Sequence, residues 1–354
     1  HNHDFTKMKN YKKENPAYKL LVDENTSLAS EPMQQYTYNG KKCLYCYKPL
    51  TQGKYHPACT KRFFGQAYEP SFDYDKEDMF ALAQKILATS QGVTGVQPKI
   101  SLSWHRKNDD NRVKKLTIVG LYGDYLLKPQ SEHYRSLPEL EDCTMHMAEV
   151  CGLRTVPHTL FYLKDGSFCY LTKRVDRVKK EKRHIEDMCQ LSGRMTEDKY
   201  KGSHEQVAKL IMKYSATPML DVTNFYEYVL FSFLTGNADM HLKNFSLLET
   251  SEQGTYTLSP AYDLLNTKLV NPQDQEELAL TLNAKKSKLT YKDFLAAYQT
   301  SQLTQKVLDS TVENFYYCQL EMKEVLYNSF LDDDLKMAYE RILDERMGRL
   351  MKKD

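Results

Sequence analysis

Three polar side chains have the types and the spacing that suit phosphoryl transfer. Asp239 and Asn244 are separated by four residues, and Asp263 follows Asn244 after nineteen positions. Transfer from ATP needs a carboxylate that orients the attacking hydroxyl, and an amide and a second carboxylate that hold Mg²⁺. The Asp-x4-Asn spacing matches the catalytic loop of protein kinases. The sequence therefore predicts Asp239 as the base, and Asn244 and Asp263 as magnesium ligands.

Two neighbouring elements are expected to position these side chains. Residues 224–235 are strongly apolar, which predicts a buried helix that delivers the polar loop to a cleft. At about twelve residues this segment is too short to cross a bilayer. Residues 245–248 and 255–258 flank a polar turn and predict a hairpin. This hairpin would return Asp263 to the side of Asp239.

A glycine-containing segment upstream could cover the phosphates of a nucleotide. Residues 90–99 read Ser-Gln-Gly-Val-Thr-Gly-Val-Gln-Pro-Lys and lead into the strand-like residues 100–104. Glycines let backbone amides approach phosphate oxygens. The segment lacks Gly-x4-Gly-Lys-Ser/Thr, which disfavours a P-loop NTPase, and an ordinary turn remains the alternative.

Lys128 ends an apolar strand and could reach the α and β phosphates. A kinase needs a helix glutamate to orient this lysine. Residues 138–150 are predicted to form a helix, because proline is favourable at a helix start. Glu141 is the predicted partner, and Glu139 is the competing choice.

Five motifs, in this order, resemble those of the HipA-like serine/threonine protein kinases, which are toxins of bacterial toxin-antitoxin systems. The similarity runs from about residue 68 to the C-terminus and is nearest to the short HipT-like form. The motifs occupy residues 95–99, 173–177, 184–190, 237–246 and 262–263.

The resemblance implies an α+β fold of the bilobal protein-kinase type. A mixed α/β N-lobe is expected over residues 67–172 and a mainly helical C-lobe over residues 173–354. A small Cys/His segment would occupy residues 41–66. Residues 1–40 would form a polar N-terminal extension, whose first residues His-Asn-His are typical of a tag remnant.

The resemblance also implies roles for individual residues. Asp239, Lys128, Asn244 and Asp263 would be catalytic. The nucleotide and its magnesium would be contacted by three groups, which are the phosphate-covering residues Thr94, Gly95, Val96, Gln97 and Lys99, the hinge residues Lys173, Arg174 and Val175, and the C-lobe residues His241, Lys243, Asn244, Tyr262 and Asp263.

The family implies inhibition by autophosphorylation of a serine near the glycine-rich loop. The corresponding position here is Gly92, which leaves Thr94 and Ser90 as candidate acceptors. A phosphate in this loop would add nearly two negative charges beside a site built for polyphosphate, so inhibition is physically reasonable.

Known members phosphorylate aminoacyl-tRNA synthetases and bind a DNA-binding antitoxin, so both are expected partners. In the short form a separate small protein supplies an N-terminal subdomain, which predicts a further partner. The net charge of +2 gives no basic excess for direct nucleic-acid binding. DNA would be reached only through the antitoxin, and no membrane partner is expected.

Two other functions are compatible with the same motifs. The first is a catalytically silent kinase-fold interaction module or transcriptional co-repressor bound to an antitoxin. The second is a small-molecule or lipid kinase, because the same triad serves several acceptors. The intact set Asp239, Asn244, Asp263 and Lys128 favours an active enzyme over the silent module.

A second constellation could bind a metal. Cys43, Cys46, His56 and Cys59 form the pattern Cys-x2-Cys-x9-His-x2-Cys, which is an acceptable ligand set for tetrahedral Zn²⁺. The chain has eight cysteines, which indicates reduced thiols rather than a disulfide framework if the protein is cytoplasmic. A metal-free Cys/His segment is the alternative.

Composition agrees with a large globular protein. The chain has 354 residues, of which 41% are hydrophobic and 27% charged, values typical of a soluble protein with one large or two moderate cores. The polar N-terminal region has no apolar stretch of the length that a secretion signal needs. A cytoplasmic location is therefore expected.

Overall fold

The computed structural model describes residues 41–89, 99–106, 114–119, 123–178 and 181–353. Two predicted regions lie outside these ranges. They are the N-terminal extension and most of the phosphate-covering segment, with Ser90, Thr94, Gly95, Val96 and Gln97. The roles of these residues stay predictions.

A five-stranded antiparallel sheet carries Lys128 on a central strand. The strands are β1 (Ile100–Arg106), β2 (Lys114–Ile118), β3 (Tyr125–Pro129), β4 (His158–Tyr162) and β5 (Phe168–Lys173), in the order β2-β1-β3-β5-β4. On β3, Leu127 pairs with Ile100 of β1 and with Leu171 of β5, and Lys128 pairs with Tyr170. Strands on both sides of β3 therefore fix the backbone at Lys128.

Helices precede and follow this sheet along the chain, and Leu137–Val150 packs against it. They are α1 (Pro57–Phe64), α2 (Lys76–Thr89), α3 (Leu137–Val150), α4 (Met188–Leu191), α5 (His204–Tyr214), α6 (Pro218–Leu234), α7 (Thr267–Val270), α8 (Tyr291–Thr300), α9 (Gln305–Asn328) and α10 (Asp333–Met351). The predicted helix over 138–150 is confirmed as α3, with Pro138 in its first turn. Within the described ranges, no helix is both long and apolar enough to cross a membrane.

Two smaller sheets follow the five-stranded sheet along the described part of the chain. A ribbon joins β6 (Arg177–Val178) to β7 (Glu181–Lys182), and a three-stranded sheet has the order β10-β9-β8, with β8 (Ile185–Asp187), β9 (Ser246–Glu249) and β10 (Tyr256–Leu258). Strands β9 and β10 form the predicted hairpin, each one residue later or shorter than expected. The hairpin returns the chain toward Asp263.

Two separate hydrophobic clusters lie under these elements. The smaller contains the Cys/His segment, α1 and the inner side chains of the five-stranded sheet. The larger is built mainly from helices, and α6 supplies several of its fully buried aromatic side chains, including Phe225, Phe231 and Phe233. The prediction of a buried helix before the catalytic loop is confirmed, and α6 begins earlier than expected because Pro218 starts it.

Candidate active site

Lys128 lies at the centre of a buried ion-pair cluster. Its Nζ is 2.6 Å from Oε1 of Glu141 on α3 and 2.5 Å from Oδ1 of Asp263. A second lysine, Lys99, donates to the other oxygen of Asp263 at 2.7 Å. Side chains from the sheet, from α3 and from the segment after the hairpin therefore meet at one point.

The charges in this cluster stabilise one another. Burial alone would lower the pKa of Lys128, but the neighbouring carboxylates of Asp263 and Glu141 outweigh it and raise that pKa above its usual value. Burial would likewise raise the pKa of Asp263, and the charges of Lys128 and Lys99 hold it well below its ordinary range. Both Lys128 and Asp263 are therefore ionised at neutral pH.

Glu141, not Glu139, is the partner of Lys128. The Lys128–Glu141 contact is buried on both sides. Within the described part of the chain, Oε2 of Glu139 is buried without a hydrogen-bond donor. Burial raises the pKa of Glu139 to about 7. Glu139 and Glu141 lie two positions apart on the predicted helix, and the structure shows that Glu141 is the one that contacts Lys128.

The predicted catalytic loop, residues 237–246, begins shortly after α6 ends at Leu234. Asp239 is exposed, whereas Asn237 and Asn244 are buried. Oδ1 of Asn237 accepts from the Asp239 amide at 3.1 Å, and Nδ2 of Asn244 donates to the Asp239 carbonyl at 2.9 Å. These bonds hold the Asp239 backbone and leave the carboxamide oxygen of Asn244 as a ligand atom.

Asp263 follows the hairpin in a left-handed backbone conformation, with φ at 57°. Among L residues, aspartate and asparagine tolerate this region best. Two backbone bonds hold Ala261, two positions before Asp263, because its amide donates to the Arg154 carbonyl at 2.7 Å and its carbonyl accepts from the Val156 amide at 3.0 Å. From this position the Asp263 carboxylate contacts both Lys99 and Lys128.

Tyr200 contacts the predicted base and had no sequence signal. Its hydroxyl donates to Oδ1 of Asp239 at 2.6 Å, and its ring packs edge-on against His241 at 5.0 Å. Burial, and then the hydrogen bond and charge of Asp239, raise the pKa of Tyr200, so the phenol stays protonated. A contact between residues 39 positions apart can be found only from the fold.

Three other predicted residues stand in or beside the catalytic loop. Lys243 donates to Oδ2 of Asp187 at 2.8 Å. The hydroxyl of Tyr262 is 2.5 Å from that of Ser246 and donates to the Lys243 carbonyl at 3.1 Å. Burial lowers the pKa of His241 to about 4, so its imidazole is neutral at pH 7. Lys243 and Tyr262 brace the loop, and their contact with a nucleotide stays a prediction.

The predicted hinge lies at the end of β5. The amides of Lys173 and Arg174 donate to the carbonyls of Pro157 and Asp124, each at 2.9 Å. Within the described ranges, the Val175 amide donates to no backbone carbonyl. Of the three predicted hinge amides, only that of Val175 is thus available to a bound base.

The predicted zinc ligands also come together. The ligand atoms of Cys43, Cys46, His56 and Cys59 all lie within 4.8 Å of one another. All eight cysteines lie in the described ranges, and none forms a disulfide.

The family model described as HipA-like C-terminal domain matches residues 91–319, which is more than half of the chain. The chain belongs to this family. Among its relatives, the Sinorhizobium fredii protein named "Putative kinase Y4dM" is 31% identical over 242 residues, covering 63% of this chain and 58% of the relative. The Shewanella oneidensis serine/threonine-protein kinase toxin HipA is 26% identical, covering 54% of this chain and 46% of the relative.

The HipA-like chain thus spans about half the length of these two relatives. Two solved structures resemble its fold. Shewanella oneidensis HipA, solved with HipB and operator DNA, matches with a TM-score of 0.61 at 22% identity over 76% of this chain and 71% of that one. The Helicobacter pylori proinflammatory kinase CtkA matches with a TM-score of 0.51 at 18% identity. This match covers 74% of this chain and 91% of CtkA. The predicted α+β, kinase-like fold is confirmed.

Proposed function

We propose that this chain is an ATP- and Mg²⁺-dependent serine/threonine protein kinase. The observation that carries the proposal is the Lys128–Glu141–Asp263 cluster, which lies beside a loop that holds Asp239 and Asn244. A kinase needs a strand lysine paired with a helix glutamate, and an aspartate that faces the same point. The kinase names of its relatives support the same reaction.

The residues present fit a magnesium-nucleotide. The Asp263 carboxylate and the Asn244 carboxamide oxygen are hard oxygen donors of the kind that Mg²⁺ prefers. Asp263 now bonds to two ammonium groups. On binding the metal, Asp263 would release Lys99 and Lys128 to the phosphate oxygens, while Glu141 keeps Lys128 in place. Bound Mg²⁺ would supply charge neutralisation of the triphosphate.

Asp239 would act on the acceptor. Its exposed carboxylate would orient a serine or threonine hydroxyl and take its proton late, as the hydroxyl oxygen bonds to phosphorus and the bond to ADP breaks. The Tyr200 hydroxyl on Oδ1 of Asp239 would compete with the acceptor for this carboxylate. Positioning and electrostatics would supply most of the rate.

Two variants separate nucleotide binding from transfer. Asp239→Ala should retain Mg-ATP affinity and lose phosphoryl transfer by at least about 100-fold, the usual contribution of a catalytic base. Asp263→Asn keeps the left-handed backbone and should weaken both Mg-ATP binding and phosphoryl transfer. Calorimetric titration with Mg-ATP and transfer from γ-labelled ATP measure the two effects. Full transfer in Asp239→Ala would remove Asp239 as the base, and binding without transfer in the wild type would favour a silent interaction module.

The physiological role follows from the family. We infer that the chain is the toxin of a toxin-antitoxin system, with an aminoacyl-tRNA synthetase as substrate and autophosphorylation at Thr94 or Ser90. A HipB-like DNA-binding antitoxin and a small N-subdomain-like protein would be its partners, and DNA would be contacted through the antitoxin. The complex of Shewanella HipA with HipB and operator DNA supports the antitoxin. Co-purification with the products of adjacent genes tests these partners.

A further inference from the structure

The Cys/His segment has the geometry of a metal site. His56 Nδ1 is 3.4 Å from the sulfur of Cys46 and 3.8 Å from that of Cys59. In tetrahedral zinc coordination, with Zn–S of about 2.3 Å and Zn–N of about 2.0 Å, a sulfur and a nitrogen ligand are about 3.5 Å apart. The third sulfur, of Cys43, is buried, whereas Cys46, His56 and Cys59 are partly exposed.

The tautomer of His56 provides a second, independent observation. Its Nε2 is 2.9 Å from the Pro49 carbonyl oxygen, which can only accept. Nε2 therefore carries the proton, and Nδ1 presents its lone pair to the sulfurs. Such a carbonyl bond to the far nitrogen is the usual way in which proteins orient a metal-binding histidine.

The same segment is attached to the helix that carries Glu141. The hydroxyl of Tyr47, one residue after Cys46, donates to Oδ2 of Asp142 at 2.5 Å. Nε2 of His146, one turn further along α3, is 2.8 Å from the Tyr45 carbonyl oxygen. The rings of Tyr47 and His146 stack at 4.4 Å. Asp142 and Tyr47 are both buried, so these bonds are shielded from water.

Adjacent residues of α3 thus face different partners. Glu141 bonds to Lys128, and Asp142 bonds to Tyr47 and, at 2.7 Å, to Nδ1 of His158 on β4. Successive side chains on an α-helix point about 100° apart, so a rotation or shift of α3 moves both contacts together. The position of Glu141 is therefore coupled to the Cys/His segment.

We propose that Cys43, Cys46, His56 and Cys59 bind one Zn²⁺ ion, and that the metal-held segment keeps α3 in the position where Glu141 reaches Lys128. The three thiols bind as thiolates and release their protons to solvent. The metal site stands on its own geometry. Its effect on phosphoryl transfer rests on the proposed kinase function.

Metal content tests the first half. Elemental analysis of the full chain should find one zinc per molecule in the wild type and in Cys318→Ser, a control cysteine on α9, and none in Cys46→Ser/Cys59→Ser. If that variant does not fold, Co²⁺ titration of chelator-treated wild type replaces it, and visible bands of tetrahedral thiolate coordination are expected. Absence of zinc together with absence of these bands, or a disulfide among the three thiols, would overturn the site.

Hydrogen exchange tests the second half. Removal of zinc should speed amide exchange in α3 and leave exchange in α5 (His204–Tyr214) unchanged. Tyr47→Phe should keep one zinc per chain and still speed exchange in α3 by about fivefold, the effect of one lost buried hydrogen bond. Unchanged α3 exchange in both samples would contradict the coupling. Neither readout uses activity, so a wild type without kinase activity would overturn the proposed function and leave this inference standing.

Discussion

Tyr200 donates a hydrogen bond to one carboxylate oxygen of Asp239, the residue that would bind an acceptor hydroxyl in the proposed kinase. The 2.6 Å bond joins a phenol, itself partly exposed, to an exposed carboxylate. In the proposed kinase, an acceptor hydroxyl would compete with the Tyr200 hydroxyl for this carboxylate. Tyr200 would therefore act on the acceptor side of the proposed site, through its contacts with Asp239 and His241.

Replacement of Tyr200 by phenylalanine should increase phosphoryl transfer. The variant removes one solvent-exposed hydrogen bond and keeps the ring that packs on His241, so we expect a two- to fivefold rise, about 1 kcal/mol or less. Initial rates of phosphate incorporation, at saturating Mg-ATP, measure it. Tyr214→Phe, at a similarly exposed tyrosine on α5, is the control. A slower Tyr200→Phe enzyme would show instead that the hydroxyl orients Asp239.

Sequence reasoning reached the residues whose partners are implied by local spacing or by family motifs. Asp239 and Asn244 share one loop, and their backbone-mediated contact follows from their separation. Lys99 was predicted over the phosphates, and the structure places its ammonium on Asp263, 164 positions away. Tyr200 has no motif at all. The Lys99–Asp263 and Tyr200–Asp239 contacts join residues that are far apart in the sequence. They depend on the tertiary fold, which local sequence patterns do not predict.

At the scale of elements, the junction of α6 with the catalytic loop depends on Gly236. This residue has φ of +72°, and a Cβ there would lie 3.0 Å from Oδ1 of Asn266 and 3.3 Å from Cγ2 of Ile342. Its carbonyl accepts from the amide of Lys268 on α7 at 3.0 Å. Gly236 thus sets the direction in which the chain leaves α6 toward Asp239.

Gly236→Ala should lower stability and activity together. A Cβ in the left-handed region costs about 1–2 kcal/mol, and the crowding adds about 1 kcal/mol or more. Gly254→Ala is the matched control, because Gly254 also has positive φ, at +77°, and open space around it. Chemical denaturation measures the difference. Equal losses of unfolding free energy in the two variants would show that the neighbours of Gly236 adjust without cost.

The elements themselves were largely predictable. The apolar residues 224–235 predicted α6, and the polar turn after residue 248 predicted the β9–β10 hairpin. Both signals are local in the sequence. Boundaries shifted where a proline began a helix earlier, as at Pro218. Which glutamate of α3 faces Lys128 could not be decided from the sequence, since Glu139 and Glu141 differ only by the rotation of the helix against the sheet.

At the scale of the whole molecule, the ion pair between Lys128 and Asp263 connects the five-stranded sheet to the helical part of the chain. Leu127, next to Lys128, belongs to the smaller hydrophobic cluster, and Leu264, next to Asp263, belongs to the larger one. The motif order predicted a kinase-like division into such parts. Their packing, and the attachment of the Cys/His segment to α3, required the structure, because these contacts join residues about a hundred positions apart.

Partly buried Glu139 should make the stability of the protein depend on pH. Burial raises its pKa from 4.5 to about 7, so the folded state holds this proton more tightly than the unfolded chain. The stabilisation is complete below the unfolded value and is lost as pH rises through about 7. Glu139→Gln cannot ionise, so its melting temperature relative to wild type should rise between pH 4.5 and 7.

The exposed Glu132→Gln serves as the control for this titration. A melting-temperature difference between Glu139→Gln and wild type that does not change with pH would show that Glu139 titrates alike in the folded and unfolded states.

The central claim, that this chain transfers phosphate from ATP with Asp239 as base, is tested most directly by intact mass and peptide mapping. The purified wild type and Asp239→Ala would each be incubated with Mg-ATP. The intact mass of each would be measured before and after incubation. We predict a gain of phosphate in the wild type alone, mapped to Thr94 or Ser90. An equal gain in Asp239→Ala would contradict the assignment of the base. A wild type that starts without phosphate, binds Mg-ATP and gains none would contradict the kinase activity itself.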